Sequence, residues 1–255
     1  MRKAFLFYPA IAVVTFLLVQ VLSGVFGAIF KIGDITWRVI LSCVVTIVIL
    51  RCFRFFNWRQ AFRISSIDWS IGMLGIVAAF FGIISFNIAE EMIQLSDQMQ
   101  DTFISMSVTI EGALCMAVIA PLAEEIVFRE CMLGHMLRNG ANRWVSIIVS
   151  SLVFGLIHLN PIQIPFATAM GVILAIVYYK SGNIVLSSII HILNNSAAVI
   201  QMRVLGDEVA DFRLTEWLGG IAVSVLCAIV AMVICIIMLR QFWKTYKIKK
   251  YETVY

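Results

Sequence analysis

Charge is what this chain of 255 residues lacks most. Asp, Glu, Lys and Arg make up only 13% of it, whereas hydrophobic residue types make up 62%. Because a soluble domain carries about 25% charged residues, this composition excludes an ordinary soluble protein. The net charge of +4 comes from basic residues dispersed along the chain, so it does not indicate a nucleic-acid-binding surface. The composition therefore indicates an integral membrane protein.

Familiar cysteine and histidine motifs are also missing. The six cysteines form no Cys-x-x-Cys pair and show no other metal-ligand spacing, so we interpret them as small apolar core residues. The sequence contains no His-Glu-x-x-His motif, and its three histidines are His135, His158 and His191. These absences exclude the zinc-binding helix of the common metalloprotease type.

Long apolar runs are abundant instead, and because lipid-exposed backbone must satisfy its own hydrogen bonds, each run predicts a helix. We expect an all-α integral membrane protein in which about eight transmembrane helices form one polytopic domain, residues 1–255, around an intramembrane polar cavity. Pro121, Pro161 and Pro165 predict kinked or broken helix beside that cavity. The predicted spans are Phe5–Phe30, Ile35–Leu50, Ser70–Ile88, Val108–Leu137, Trp144–Leu159, Pro161–Tyr179, Ile184–Val204 and Trp217–Leu239.

The distribution of Lys and Arg predicts the orientation of these spans. Eight alternating crossings place most basic residues on one side and the acidic loops on the other, and the basic side is the cytoplasmic one. We therefore expect both termini in the cytoplasm and a multi-pass protein of a bacterial plasma membrane. The segment Arg240–Lys250 combines basic and aromatic residues and is typical of an anchor on anionic lipid.

Three charged residues, Glu124, Glu125 and Arg129, interrupt the fourth apolar run. A charge at bilayer depth costs at least ~2.5–3.5 kcal/mol, so it normally faces a protein interior or a water-filled cavity. Residues four apart share one face of an α-helix, which predicts an ion pair between Glu125 and Arg129. Glu124 is then left without a local cation and is the candidate general base. A purely structural charge network is the alternative interpretation.

Two histidines lie in later predicted spans, and each has a companion at helical spacing. Phe154 precedes His158 by four residues, and Asn195 follows His191 by four. Together with Glu124 these are the parts of a hydrolytic site. A water molecule activated by Glu124 and oriented by His158 would attack a peptide carbonyl, and His191 and Asn195 would stabilise the oxyanion.

At these positions the chain resembles a known family of intramembrane proteases. Glu124-Glu125-x-x-x-Arg129, Phe154-x-x-x-His158 and His191-x-x-x-Asn195 match the motifs of the CPBP family, which contains type II CAAX prenyl endopeptidases and the bacteriocin-processing or immunity (Abi) proteins. The resemblance covers a catalytic core of about residues 122–198. It implies that Glu124, His158, His191 and Asn195 are catalytic, and that Glu125, Arg129 and Phe154 support them.

The resemblance favours a mechanism without a cofactor, with a zinc site formed by Glu124, His158 and His191 as the alternative. The expected function is cleavage of a membrane-associated peptide or lipidated protein, with a bacterial peptide-processing or bacteriocin-immunity role favoured over prenylated substrates. A non-proteolytic scaffold that binds a membrane partner such as a sensor kinase is the second hypothesis, and a proton-relaying transporter is the third. The partners expected are substrate and lipid bilayer, without nucleic acid; the oligomeric state stays open.

Depth along the helices raises one difficulty for this site. At ~1.5 Å per residue, Glu124 and His158 each lie ~22 Å from the cytoplasmic helix ends, but His191 lies only ~12 Å from its own. Helix tilt, a broken helix around Pro121 or Pro161, or misplaced span boundaries would reconcile these depths, and the face on which the cavity opens is not predicted.

Overall fold

The computed structural model describes residues 4–30, 34–64, 67–93 and 95–246, and within these ranges the chain is helical and has no strand. The all-α fold is therefore confirmed. In chain order the helices are α1 (Ala4–Ile29), α2 (Ile35–Cys52), α3 (Trp58–Ala61), α4 (Trp69–Ile93), α5 (Gln100–Val108), α6 (Ile110–Arg138), α7 (Arg143–Leu156), α8 (Gln163–Ser181), α9 (Val185–Leu205), α10 (Leu214–Trp217) and α11 (Ile221–Thr245).

The number of membrane crossings is close to the eight predicted. Six of the described helices, α1, α2, α4, α8, α9 and α11, are long and apolar enough to cross, and the bent pair α5–α6 makes a seventh. The fifth predicted span, Trp144–Leu159, corresponds to α7, which has 14 residues and is shorter than the ~20 that a crossing requires. The chain is thus a multi-pass membrane protein with six or seven candidate crossings among the described residues.

Small residues on α4 allow three helices to pack closely. Gly72, Gly75 and Gly82 lie on one face of α4, which packs along α11 and also contacts α8 and α9. A methyl group on Gly82 would lie 2.7 Å from a side-chain carbon of Ile173 and 3.1 Å from the sulfur of Cys235. Close approach of this kind stabilises helix contacts in lipid, where apolar surface alone gives no driving force.

The chain bends by 115° between α5 and α6. Thr109 is the N-cap of α6, and its hydroxyl accepts a hydrogen bond from the backbone N–H of Gly112 at 3.0 Å. Arg203 of α9 binds the end of α5, donating to the carbonyl oxygens of Ser107 at 2.6 Å and Val108 at 3.0 Å. A cation at a helix C-terminus satisfies carbonyls that have no partner within the helix. The bend is therefore fixed from a third helix.

The turn that follows α7 is also tied to a distant segment. Leu159 adopts a left-handed backbone with φ of +54°, a conformation that costs a non-glycine residue energy. The next residue, Asn160, is 1% exposed, and its amide nitrogen donates to Oδ1 of Asp97 at 2.7 Å. The side-chain oxygen Oδ1 of Asn160 accepts from the backbone N–H of Gln98 at 3.3 Å. These bonds hold a strained turn directly beside His158.

Candidate active site

The two glutamates lie at a change of helix type within α6. Regular α-helix ends at Glu124, and residues Glu125–Gly134 form a π-helix, all ten of which are buried. A π-helix hydrogen-bonds each residue to the fifth along, and such segments often occur at functional sites. A second π segment, Cys115–Ile119, lies one turn earlier in the same helix. Most of the charged motif thus lies in a π-helix, and a second π segment precedes it. Pro121 lies in the regular α-helical turn between these two segments.

Glu125 and Arg129 form an ion pair that is completely enclosed. Nη2 of Arg129 lies 3.4 Å from Oε1 of Glu125, and both side chains are 0% exposed. The guanidinium carbon of Arg129 also lies 4.5 Å from the ring centre of Phe154. Within the described chain, none of the three guanidinium nitrogens makes a hydrogen bond. Arg129 is therefore held by charge attraction and by the face of an aromatic ring.

His191 on α9 lies between the two carboxylates. Its Nδ1 is 3.3 Å from Oε1 of Glu125, and its Nε2 is 3.7 Å from Oε2 of Glu124. Because a carboxylate accepts, Nδ1–H donates to Glu125, and this bond directs the opposite edge of the ring at Glu124. The Glu124 side chain is 17% exposed, in contrast to the fully enclosed Glu125. Only one of the two carboxylates is therefore accessible.

Phe154 of α7 connects both histidines to the charged cluster. Its ring meets His158 edge to face at 5.1 Å between centroids and meets His191 in the same way at 5.7 Å. Nδ1 of His158 is 2.8 Å from the carbonyl oxygen of Phe154, which can only accept, so this nitrogen carries a proton. The Nε2 of neutral His158 is then an acceptor. No direct contact joins His158 to Glu124.

Asn195 is one turn beyond His191 and faces the first π segment. Its amide nitrogen donates to the carbonyl oxygen of Met116 at 3.1 Å, and its amide oxygen accepts from Asn194 at 3.1 Å. One N–H of the Asn195 amide thus remains for another acceptor. The structure brings Glu124, Glu125, Arg129, Phe154, His158 and His191 into one connected cluster, and Asn195 joins it through α9 alone.

The zinc alternative requires three protein ligands arranged around one point. Across the part of the chain that the structure describes, no three His, Cys, Asp or Glu side chains are grouped in this way. Nε2 of His191 faces Glu124. Nδ1 of His158 binds the Phe154 carbonyl, which leaves Nε2 of that ring available. The choice between a metal-free and a zinc mechanism therefore stays a prediction.

A second buried network on α6 was missed by sequence reasoning. Glu130, 3% exposed, accepts from Nη1 of Arg138 at 2.9 Å and from the hydroxyl of Tyr178 at 2.8 Å. Arg138 also donates to the backbone carbonyl of Glu130 at 3.0 Å. Glu130 interrupts the same apolar run as Glu124. Because a charge within the membrane is costly, its position could have identified it as a buried, partnered residue. This network fixes the far end of the π-helix against α8.

Comparison with known proteins finds similarity over the segment that carries this site. Residues 106–197 match the family model for type II CAAX prenyl endopeptidase Rce1-like proteins, and this segment includes all three motifs. The predicted resemblance is confirmed. The chain is 38% identical over 89 residues to the membrane-embedded CAAX protease MroQ of Staphylococcus aureus (strain USA300), covering 33% of this chain and 36% of that protein. It is 29% identical over 84 residues to the putative membrane peptidase YdiL of Bacillus subtilis (strain 168), covering 33% and 34%.

The match to the family model covers the helices that carry the site. The matched parts span about a third of the length of these curated relatives, and no solved structure shows significant similarity to the chain. The Rce1-like segment runs from α5 to the middle of α9, so it excludes α1, α2, α4 and α11. The predicted core, residues 122–198, lies almost wholly within it, whereas the single-domain assignment for residues 1–255 stays a prediction.

Proposed function

We propose that this protein is an intramembrane endopeptidase that hydrolyses a peptide bond with water activated by Glu124. The observation that carries this proposal is the position of His191, which lies 3.3 Å from Glu125 and 3.7 Å from Glu124. A general base must be within reach of its proton and must keep a proton-accepting form. Glu124 is within reach of a water molecule because its side chain is partly exposed, whereas that of Glu125 is enclosed.

The two glutamates have different roles in this mechanism. Glu125 is neutralised by Arg129 and accepts from Nδ1–H of His191, so its charge is used to orient the imidazole. Glu124 has no arginine partner, and its charge faces Nε2 of His191. The cluster has two carboxylates and one guanidinium, so Glu124 is the carboxylate that remains for proton transfer.

The reaction then proceeds in two proton transfers. Glu124 takes a proton from water while the water oxygen bonds to the carbonyl carbon of the peptide, and the carbonyl electrons move to its oxygen. Nε2 of His158 is the acceptor that orients the same water. The free N–H of Asn195 donates to the oxyanion. His191 donates to it from Nε2 after its imidazole has taken a proton from solvent, and it keeps that proton through the step. Glu124 finally gives its proton to the leaving amide nitrogen as the C–N bond breaks.

For the substrate we favour a bacterial peptide, such as a bacteriocin leader or another membrane-associated peptide, with no metal cofactor. The name of the S. aureus relative, a membrane-embedded CAAX protease, supports cleavage within the membrane. A prenylated CAAX peptide is the other class that the family resemblance suggests.

Cleavage assays with matched glutamate variants test the proposal. The wild type, Glu124→Gln and Glu111→Gln would be reconstituted in vesicles with a peptide panel that includes a prenylated CAAX peptide. Glu111 is an exposed residue in the first turn of α6, so it controls for a Glu-to-Gln change on the same helix. We expect Glu124→Gln to lose activity by at least ~100-fold, as for a general base, and Glu111→Gln to keep it.

A chelator arm tests the cofactor proposal, since chelator-sensitive cleavage restored by zinc would contradict a glutamate mechanism. The scaffold hypothesis makes the opposite prediction for the base. If Glu124→Gln performs the cellular function as well as the wild type at equal abundance, the protein does not act by Glu124 chemistry.

A further inference from the structure

Three aromatic rings stack where three helices end, far along the chain from the glutamate cluster. Trp144 is in the first turn of α7, Tyr179 in the last turn of α8, and Trp243 in the last turn of α11. Trp243 stacks on Trp144 at 5.1 Å between centroids with 13° between the planes, and on Tyr179 at 5.3 Å with 21°. Tryptophan and tyrosine are enriched at the level of lipid headgroups, which is where helix ends lie.

Two cations lie against this stack. The guanidinium carbon of Arg143 is 5.5 Å from the centre of Trp243 and 5.7 Å from that of Trp144. Nζ of Lys180 is 5.1 Å from the centre of the same Trp243 ring. Since both distances are measured to one point, the two charges are within about 11 Å of each other. Two like charges therefore lie beside one ring.

Neither cation has an anionic partner in the portion of the chain that the structure describes. No hydrogen bond or ion pair is formed by Arg143 or Lys180 there, and their recorded contacts are with the aromatic rings. Arg138, by contrast, is neutralised by Glu130. Lys180 is only 5% exposed as a residue, but its Nζ is not among the fully enclosed polar atoms that lack a partner, so the ammonium is reached from outside.

The methylene groups of Lys180 are covered by the protein, as in a lysine that snorkels, while its charged end is accessible. Its neighbour Arg143 is exposed, so the pair is open on one side. Lys244, on the same helix as Trp243, is also exposed, but it has no contact with the Trp243 ring among the described residues. An anion that approaches from the open side reaches both Arg143 and Lys180.

We propose that Lys180 and Arg143 bind a phosphate-bearing anion, with the headgroup of an anionic phospholipid as its source. A phosphate accepts hydrogen bonds from an ammonium and from a guanidinium at once, and basic pockets between membrane helices are known to bind such headgroups. The aromatic stack at headgroup level contacts the glycerol and upper chain region of the same lipid. The site is separate from the glutamate cluster and does not depend on the proposed protease activity.

Lipid titration of the full-length protein tests this proposal. The protein in a neutral detergent would be titrated with phosphatidylglycerol and, separately, phosphatidylcholine, and bound lipid counted by native mass spectrometry. Each of Lys180→Gln and Arg143→Gln should weaken phosphatidylglycerol binding about fivefold. Lys244→Gln removes an exposed charge from the same region and should leave this site unchanged.

The remaining measurements distinguish a lipid headgroup from free phosphate and define the results that would overturn the proposal. Displacement of phosphatidylglycerol by millimolar inorganic phosphate, with the same variant dependence, would assign the site to free phosphate. Equal binding of phosphatidylcholine, equal loss in Lys244→Gln, or full binding in both site variants would overturn the proposal. Arg143 is exposed, so Arg143→Gln tests the site even if Lys180→Gln does not fold.

Discussion

Replacing Glu125 with glutamine should destabilise the protein, whereas the same change at Glu124 should not. Glu125→Gln keeps the shape of the side chain and removes the charge that Arg129 faces at 3.4 Å, with both groups fully enclosed. The guanidinium is then left in an apolar interior, where none of its nitrogens has a hydrogen bond within the described residues. Glu124 is 17% exposed, so its loss leaves no buried charge of this kind.

The magnitude follows from what a stranded buried charge costs. Removing one member of a buried ion pair typically destabilises a protein by about 3–5 kcal/mol. At ~2–4 °C per kcal/mol for a domain of this size, the midpoint of thermal unfolding of Glu125→Gln should fall by about 6–20 °C. The cation–π contact of Arg129 with Phe154 remains in the variant and moderates the loss. For Glu124→Gln we expect a change within about 1 kcal/mol.

The assay is thermal unfolding of each purified variant in one detergent, with membrane abundance as a second measurement. The double variant Glu125→Gln/Arg129→Met removes both charges and should recover much of the lost stability, because a buried pair replaced by neutral groups is often tolerated. If Glu124→Gln proved as destabilising as Glu125→Gln, or if the double variant were no more stable than the single one, the assignment of separate structural and catalytic glutamates would be wrong.

Three further substitutions test the surroundings of the site. Tyr178→Phe removes one hydrogen bond to the buried Glu130 carboxylate and should cost about 1.5–3 kcal/mol of unfolding free energy, measured by thermal unfolding; no change would mean that this bond is not formed. Gly155→Ala places a methyl group 2.8 Å from a backbone oxygen of α8 and should lower the free energy of unfolding by about 1–3 kcal/mol. An unchanged midpoint of thermal unfolding would show that α7 and α8 can move apart without cost. Asn160→Ala releases the turn after α7 from Asp97 and should lower kcat by about tenfold or more with little change in KM; an unchanged kcat would exclude a positioning role.

Much of the architecture could be predicted because membrane helices are recognisable in the sequence as long apolar runs. Each of the eight predicted spans corresponds to a helix, with ends within a few residues, since about 20 apolar residues in lipid have no other stable form. The Glu125–Arg129 contact could also be anticipated from a spacing of four. The expected asymmetry between Glu124 and Glu125 has a counterpart in their different exposure.

The irregular helix could not be predicted from the same rules. The separation of about 140° between Glu124 and Arg129 assumes 100° per residue, but from Glu125 onwards the helix is of the π type, with a smaller turn per residue. The rule that basic loops are cytoplasmic assigns Arg138, which follows the predicted span Val108–Leu137, to a cytoplasmic loop. That rule counts charges and takes no account of the partners of each charge. In the fold Arg138 bonds to Glu130, eight residues earlier, which requires α8 to pack against the end of α6.

The depth problem has a physical resolution in the length of α7. A helix of 14 residues is about 21 Å long, which is less than the ~30 Å of hydrocarbon. A helix of this length that begins at the membrane surface ends at membrane depth, where irregular backbone is stable only if protein or enclosed water satisfies it. Asn160 supplies part of that satisfaction by bonding to Asp97 and Gln98. His158 thus stands at the end of this short helix beside a polar turn, and a straight-helix count could not place it there.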